Sequence, residues 1–103
     1  MELKLEGRQM DIGNELRDRI TTRLQTLDQR FGPITHARVS IERKSHNNEQ
    51  RAEVKTVINV PGNTISSTKE AATVIPAVNE ALDTLTMELQ TWAEKNKKSH
   101  TRP

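Results

Sequence analysis

The chain has no cysteine and no tyrosine among its 103 residues, and its only aromatic side chains are Phe31 and Trp92. Without cysteine there can be no disulfide, thiolate metal ligand or thiol nucleophile. With two aromatic rings, the core must be built from Leu, Ile, Val and Ala. Apolar residues make up only 32% of the chain, so that core is modest. No apolar run approaches the roughly 20 residues that a membrane-spanning helix needs. The opening Met-Glu-Leu-Lys-Leu-Glu-Gly is charged and alternating, unlike the basic start and apolar run of a signal peptide. Neither sign of charge dominates: 16 Lys and Arg against 14 Asp and Glu leave a formal charge of +2. Distribution, and not total, must carry any argument about a polyanionic partner. These absences together predict a soluble cytoplasmic domain with no membrane partner.

One absence is local. Between Thr73 and Glu94 there is no Lys or Arg, although Glu80, Asp83, Glu88 and Glu94 are there. Lys95, Lys97, Lys98, His100 and Arg102 then follow within a few residues.

What is present is strong periodicity. Leu3 and Leu5 alternate with Glu2, Lys4 and Glu6 as in a strand, and Gly7 frees the chain to turn. Asn14 is a plausible N-cap for a helix whose apolar stripe is Leu16, Ile20, Leu24, Leu27 and Phe31. Gly32-Pro33 stops it, because glycine accepts left-handed angles and proline cannot continue a helix. From Ile34 to Ile41 the period becomes two, with Ala37, Val39 and Ile41 on one side. A polar turn at 45–49 precedes a third strand, Arg51 to Val60, with Ala52, Val54, Thr56, Ile58 and Val60 facing the core. Pro61-Gly62-Asn63 is a turn, and Thr64 to Thr68 a short fourth strand. A last helix begins near Thr73, tolerating Pro76 in its first turn. Its stripe is Val74, Val78, Ala81, Leu82, Leu85, Leu89 and Trp92, which favours core packing over base stacking for the tryptophan.

The order β-α-β-β-β-α predicts an α+β fold. A strand, helix and strand in succession favour a right-handed parallel crossover, and two hairpins then extend the sheet antiparallel. Each helix has one apolar stripe, so both should pack on one face of a four-stranded mixed sheet. The other face would carry Arg38, Ser40, Glu42, Glu53, Lys55, Val57 and Asn59. Residues 1–95 form the single domain expected, and 96–103 a flexible basic tail.

The residues give no sign of an enzyme. His36, His46 and His100 fall on a strand, in a turn and in the tail, with no metal-ligand spacing among them. Glu80 and Asp83 are an i, i+3 pair of a solvated helix face. There is no nucleophile elbow, phosphate-binding loop or dinucleotide fingerprint. No metal, cofactor or small-molecule substrate is implied.

Charge placement is more informative. With Leu16 at 0°, Arg19, Arg23 and Arg30 fall at about 300°, 340° and 320°, a ridge along one flank of the first helix, while Arg17 lies on the other. Guanidiniums spaced this way can bridge successive phosphates of a nucleic-acid strand. They can equally cover apolar core with their stems. Lys95, Lys97, Lys98 and Arg102 can complement a helix dipole and keep the domain soluble, or form an electrostatic arm for RNA.

The run Gly7…Ile12…Glu15-Leu16-Arg17-Asp18…Ile20…Arg23-Leu24…Leu27…Phe31 resembles the first helix of the ribosome hibernation promoting factors, also called ribosome-associated inhibitors. Ile34-x-x-Ala37-x-Val39-x-Ile41, Ala52-Glu53-Val54…Val60-Pro61-Gly62 and Ala77-Val78…Leu82-Asp83…Leu85…Leu89 resemble that family's second strand, third strand with turn, and last helix. The resemblance covers nearly the whole chain. It implies a double-stranded-RNA-binding-domain-like fold that docks on the small ribosomal subunit, where messenger and transfer RNA would pass, and silences idle ribosomes. It also implies that basic side chains of the helices lie on ribosomal RNA. The expected RNA-binding set is Arg17, Arg19, Arg23, Arg30, Lys95, Lys97 and Lys98, with Arg17 and Arg23 at family-like positions.

The last helix departs from that pattern. Ile75, Thr84 and Met87 stand where the family usually has Tyr, Lys and Arg, and Thr26 and Gln29 replace basic residues of the first helix. The chain also lacks the second, dimer-forming domain of long family members, so a short form is expected. An alternative reading is a divergent member acting as a protein-interaction module or weak homodimer, through the sheet face or an edge strand, with little RNA binding.

Overall fold

The computed structural model describes residues 1–101, apart from the side chains of His46 and residues 96–101. Four strands, β1 (Glu2–Arg8), β2 (His36–His46), β3 (Glu49–Val60) and β4 (Asn63–Ala71), lie in the order β1-β2-β3-β4. β1 pairs parallel with β2, and the other two pairings are antiparallel. The helices are α1 (Asn14–Phe31) and α2 (Val74–Thr101). Ile20, Leu24 and Leu27 of α1 join Val74, Ala77, Val78, Ala81, Leu82, Leu85 and Leu89 of α2 in one core with Val39, Ile41, Val54 and Ile58 of the sheet. The α+β fold predicted from the periodicity is therefore the fold observed, helices on one face and a polar face opposite.

Several local details differ from the expectation. The turn after β1 is at Gln9, whose φ is 61°, and not at Gly7, which pairs with Ile41 inside the strand. Gly7 is required by space: a Cβ there would come 2.5 Å from the Met10 carbonyl oxygen. The cap of α1 is Gly13, whose carbonyl accepts from Arg17 N at 3.0 Å, so Asn14 is the first helical residue. At the other end Gly32 has φ −69°, far from the left-handed region. Its hydrogen is needed because a Cβ would collide with the Asp28 carbonyl, which accepts from Gly32 N at 3.0 Å. Asp28 also receives Ile34 N on its carboxylate at 2.7 Å, fixing the exit from the helix.

The β2–β3 hairpin is longer than the alternation suggested. Its two-residue loop is Asn47-Asn48, with φ of 52° and 66°, angles that asparagine tolerates and that the twist of paired strands favours. The second hairpin turns on Pro61-Gly62, with φ +78° at the glycine. β4 continues to Ala71, and α2 begins after Thr73, whose carbonyl accepts from Ala77 N. Among the described residues the last buried one of α2 is Leu89, and Trp92 is a half-buried core neighbour. The expected tail at 96–103 overlaps the end of α2; Arg102 lies outside the described residues, as do the side chains of Lys97 and Lys98. Among the described residues, no helix is long and apolar enough to cross a membrane.

Candidate nucleic-acid interface

The two faces of the molecule differ in how charge is arranged. On the open sheet face the register places Arg8, Glu42, Glu53 and Glu70 in one row across all four strands. Basic residues neutralise this row from neighbouring positions. Lys44 Nζ lies 3.1 Å and Lys55 Nζ 3.8 Å from Glu53, and Arg51 Nε lies 2.7 Å from Glu70. The hydrogen bond that Lys44 donates to Glu53 raises the Lys44 pKa above the ordinary lysine value; desolvation opposes the rise, and the charges of Glu53, Glu42 and Glu70 add to it. Cations held by carboxylates offer less to a polyanion, and Arg8 and Arg38 are left on this face without an ion pair among the described residues.

The helical face is different. Arg17 and Arg19 are exposed and make no ion pair among the described residues. Arg30 lies over the Phe31 ring, 5.2 Å from its centroid. Stacking of this kind orders a guanidinium while leaving its in-plane donors open to phosphate. Arg23 is half-buried, and its Nη2 donates to Asp83 Oδ1 at 3.0 Å and reaches Thr86 Oγ1 at 3.5 Å. The flank that carries the arginine ridge is thus the flank facing α2. Arg19 and Arg23 share a cleft of about 740 Å³ with Leu16, Thr22 and Ile75, and Glu15 and Asp18 also line it.

Not every predicted residue joins this surface. Arg17 is on the far flank of α1. Lys95 lines a separate groove between α2 and the β4 edge, beside Met87, Glu88 and Trp92. Lys97 and Lys98 fall outside the described side chains. Asp83 is exposed, as its place on a solvated helix face implies, and it is also the partner of Arg23. Only the placement of one helix against the other could reveal that, since 60 residues separate the two. Among the described residues, no group of three or more His, Asp or Glu is placed to hold a metal ion.

Residues 3–97 match the family model described as Sigma 54 modulation protein / S30EA ribosomal protein. The chain belongs to this family. It is 33% identical over 88 residues to a ribosome hibernation promotion factor of Deinococcus radiodurans, a match covering 84% of this chain. The chain spans about half of that relative, 46% of its length. Among solved structures, the N-terminal domain of Thermus thermophilus Protein Y superposes with a TM-score of 0.70 at 26% identity, covering 89% of this chain and 99% of that one. A ribosomal subunit interface protein from Coxiella burnetii gives 0.63 at 22% identity, covering 95% and 99%, and at that identity it speaks for the fold alone. The family match includes both helices, so the departures at Ile75, Thr84 and Met87 are variations within it.

Proposed function

We propose that this chain is a non-enzymatic, cytoplasmic translation inhibitor that associates with ribosomes by laying its helical face on RNA of the small subunit. In that position it would occupy the path of messenger and transfer RNA and silence idle particles. The observation that carries the reading is the family match over residues 3–97, joined to a relative named as a ribosome hibernation promotion factor. The charge arrangement supports the choice of face: α1 presents Arg17, Arg19 and Arg30 with open donors, whereas Lys44, Arg51 and Lys55 of the sheet face are held by carboxylates. Lys95, with Lys97 and Lys98 beyond it, would extend the contact from the end of α2. No catalytic step is needed, since obstruction requires only affinity. Phosphate neutralisation releases counterions, so such binding weakens as salt rises. Co-sedimentation with purified small subunits across a salt series tests it: association near ~50 mM salt should fade toward ~200 mM. Failure to sediment with small subunits at the lowest salt defeats the reading.

A second reading has one specific support. Met87 is 69% exposed on the outer side of α2, on a helix whose residues 74–94 hold no cation. A protein-binding module, or a weak homodimer, would use that side or an edge strand. Size-exclusion chromatography with light scattering distinguishes it, because a strict monomer that binds ribosomes leaves no role for self-association.

A further inference from the structure

Arg23 and Asp83 face each other across the seam between α1 and α2. Both contacts of the Arg23 guanidinium, to Asp83 Oδ1 and to Thr86 Oγ1, use the same nitrogen, Nη2. The Nε and Nη1 donors have no hydrogen-bond partner among the described residues. The Thr86 hydroxyl donates to the Leu82 carbonyl at 2.7 Å and accepts from Arg23 only at 3.5 Å, against 3.0 Å for Asp83, which makes Asp83 the principal restraint. The Asp83 side chain is 68% exposed and that of Arg23 34%, so the carboxylate stands further into solvent than the cation it pairs with. A phosphate reaching the open edge of Arg23 therefore approaches a negative charge held 3.0 Å from that guanidinium. Arg19, one turn earlier in the same cleft, makes no ion pair among the described residues, although Glu15 and Asp18 line that cleft with it.

We propose that Asp83 sets the strength and salt dependence of polyanion binding by the helical face, holding Arg23 at less than a full charge toward phosphate. The inference rests on the ribosome-binding reading above and assigns α2 an opposing part in it. Neutralising Asp83 should release Arg23 to make one more phosphate contact. The expected gain for Asp83→Asn is a severalfold tighter association with small subunits, and a plot of log affinity against log salt steeper by about 0.7–0.9. Exposed ion pairs add little to stability, so the variant should fold as the parent does.

The experiment measures binding to small subunits and elution from a heparin column for the parent, Asp83→Asn, Glu49→Gln, Arg23→Ala and the double variant Asp83→Asn with Arg23→Ala. Glu49 is exposed on the open sheet face at the β2–β3 hairpin, away from both helices, so E49Q removes the same formal charge elsewhere and should change neither readout. D83N should tighten both readouts, and the gain should vanish when Arg23 is absent. Unchanged or weaker binding by D83N overturns the proposal. So does an equal gain from E49Q, which would make net charge sufficient, or a gain that persists without Arg23. If the parent leaves small subunits alone at low salt, the ribosomal reading fails. The heparin arm then decides separately whether Asp83 restrains Arg23.

Discussion

At the scale of single residues, the most consequential polar group is the one hidden in the core. Thr56 is fully buried on β3, and its hydroxyl lies 2.7 Å from Ser67 Oγ on β4. Ser67 Oγ in turn lies 3.2 Å from the Ala81 carbonyl on α2. The serine donates to that carbonyl, which has no proton of its own, so Thr56 donates to the serine. This relay crosses both hairpin strands and one helix. Ser67→Ala leaves a buried hydroxyl with only a long contact to the Ser67 carbonyl and should cost about 1–3 kcal/mol. Thr56→Val removes the buried donor itself, while Ser67 keeps its bond to the helix, and should cost less. Urea unfolding of the two variants checks the order, and a cheaper Ser67→Ala would contradict the direction of the relay.

Elements bring distant charges into rows. Three basic residues surround the carboxylates of β3 and β4, and Lys44 is the one whose pKa is raised by its hydrogen bond to Glu53. The sign follows from the proton count: a group that holds its proton more tightly when folded stabilises the fold at and below its unfolded value. That contribution is fully present below the ordinary lysine value and is lost as pH rises through the higher folded one. An NMR titration of the Lys44 ammonium should therefore run later than that of an unpaired lysine, and Glu53→Gln should return it toward the ordinary range. Identical titrations in the two proteins would rule out the pairing.

For the whole molecule, two faces of opposite charge logic follow from one nearly neutral composition. The sheet holds Lys44, Arg51 and Lys55 against carboxylates, whereas α1 leaves Arg17 and Arg19 unpaired and Arg30 stacked. Arg19 and Arg30 are 11 residues apart, about 16 Å along the helix, a span of several phosphates. Reversing both, Arg19→Glu with Arg30→Glu, should weaken small-subunit association by about tenfold or more and flatten its salt dependence. Reversing Lys55→Glu on the sheet face should leave it nearly unchanged. Equal losses from the two faces would move the contact surface off the helices.

By itself the sequence determined the element order and the faces. Apolar stripes at 3.6 and alternation at 2.0 are local consequences of helix and strand geometry, legible without any partner. Thus Ile20, Leu24 and Leu27, and Val54, Thr56 and Ile58, fell to the core as their spacing required. Element ends were less legible, because they depend on close approaches such as Gly7 to Met10 and Gly32 to Asp28. The arginine ridge was visible as a stripe, yet its electrostatic state was not. Periodicity places a side chain on a flank without saying what stands opposite. Only the packing of α2 against α1 brought Asp83 to Arg23 and sent Lys95 to the groove at β4. Charges interact through space at distances set by helix placement, and no reading along one helix can supply them.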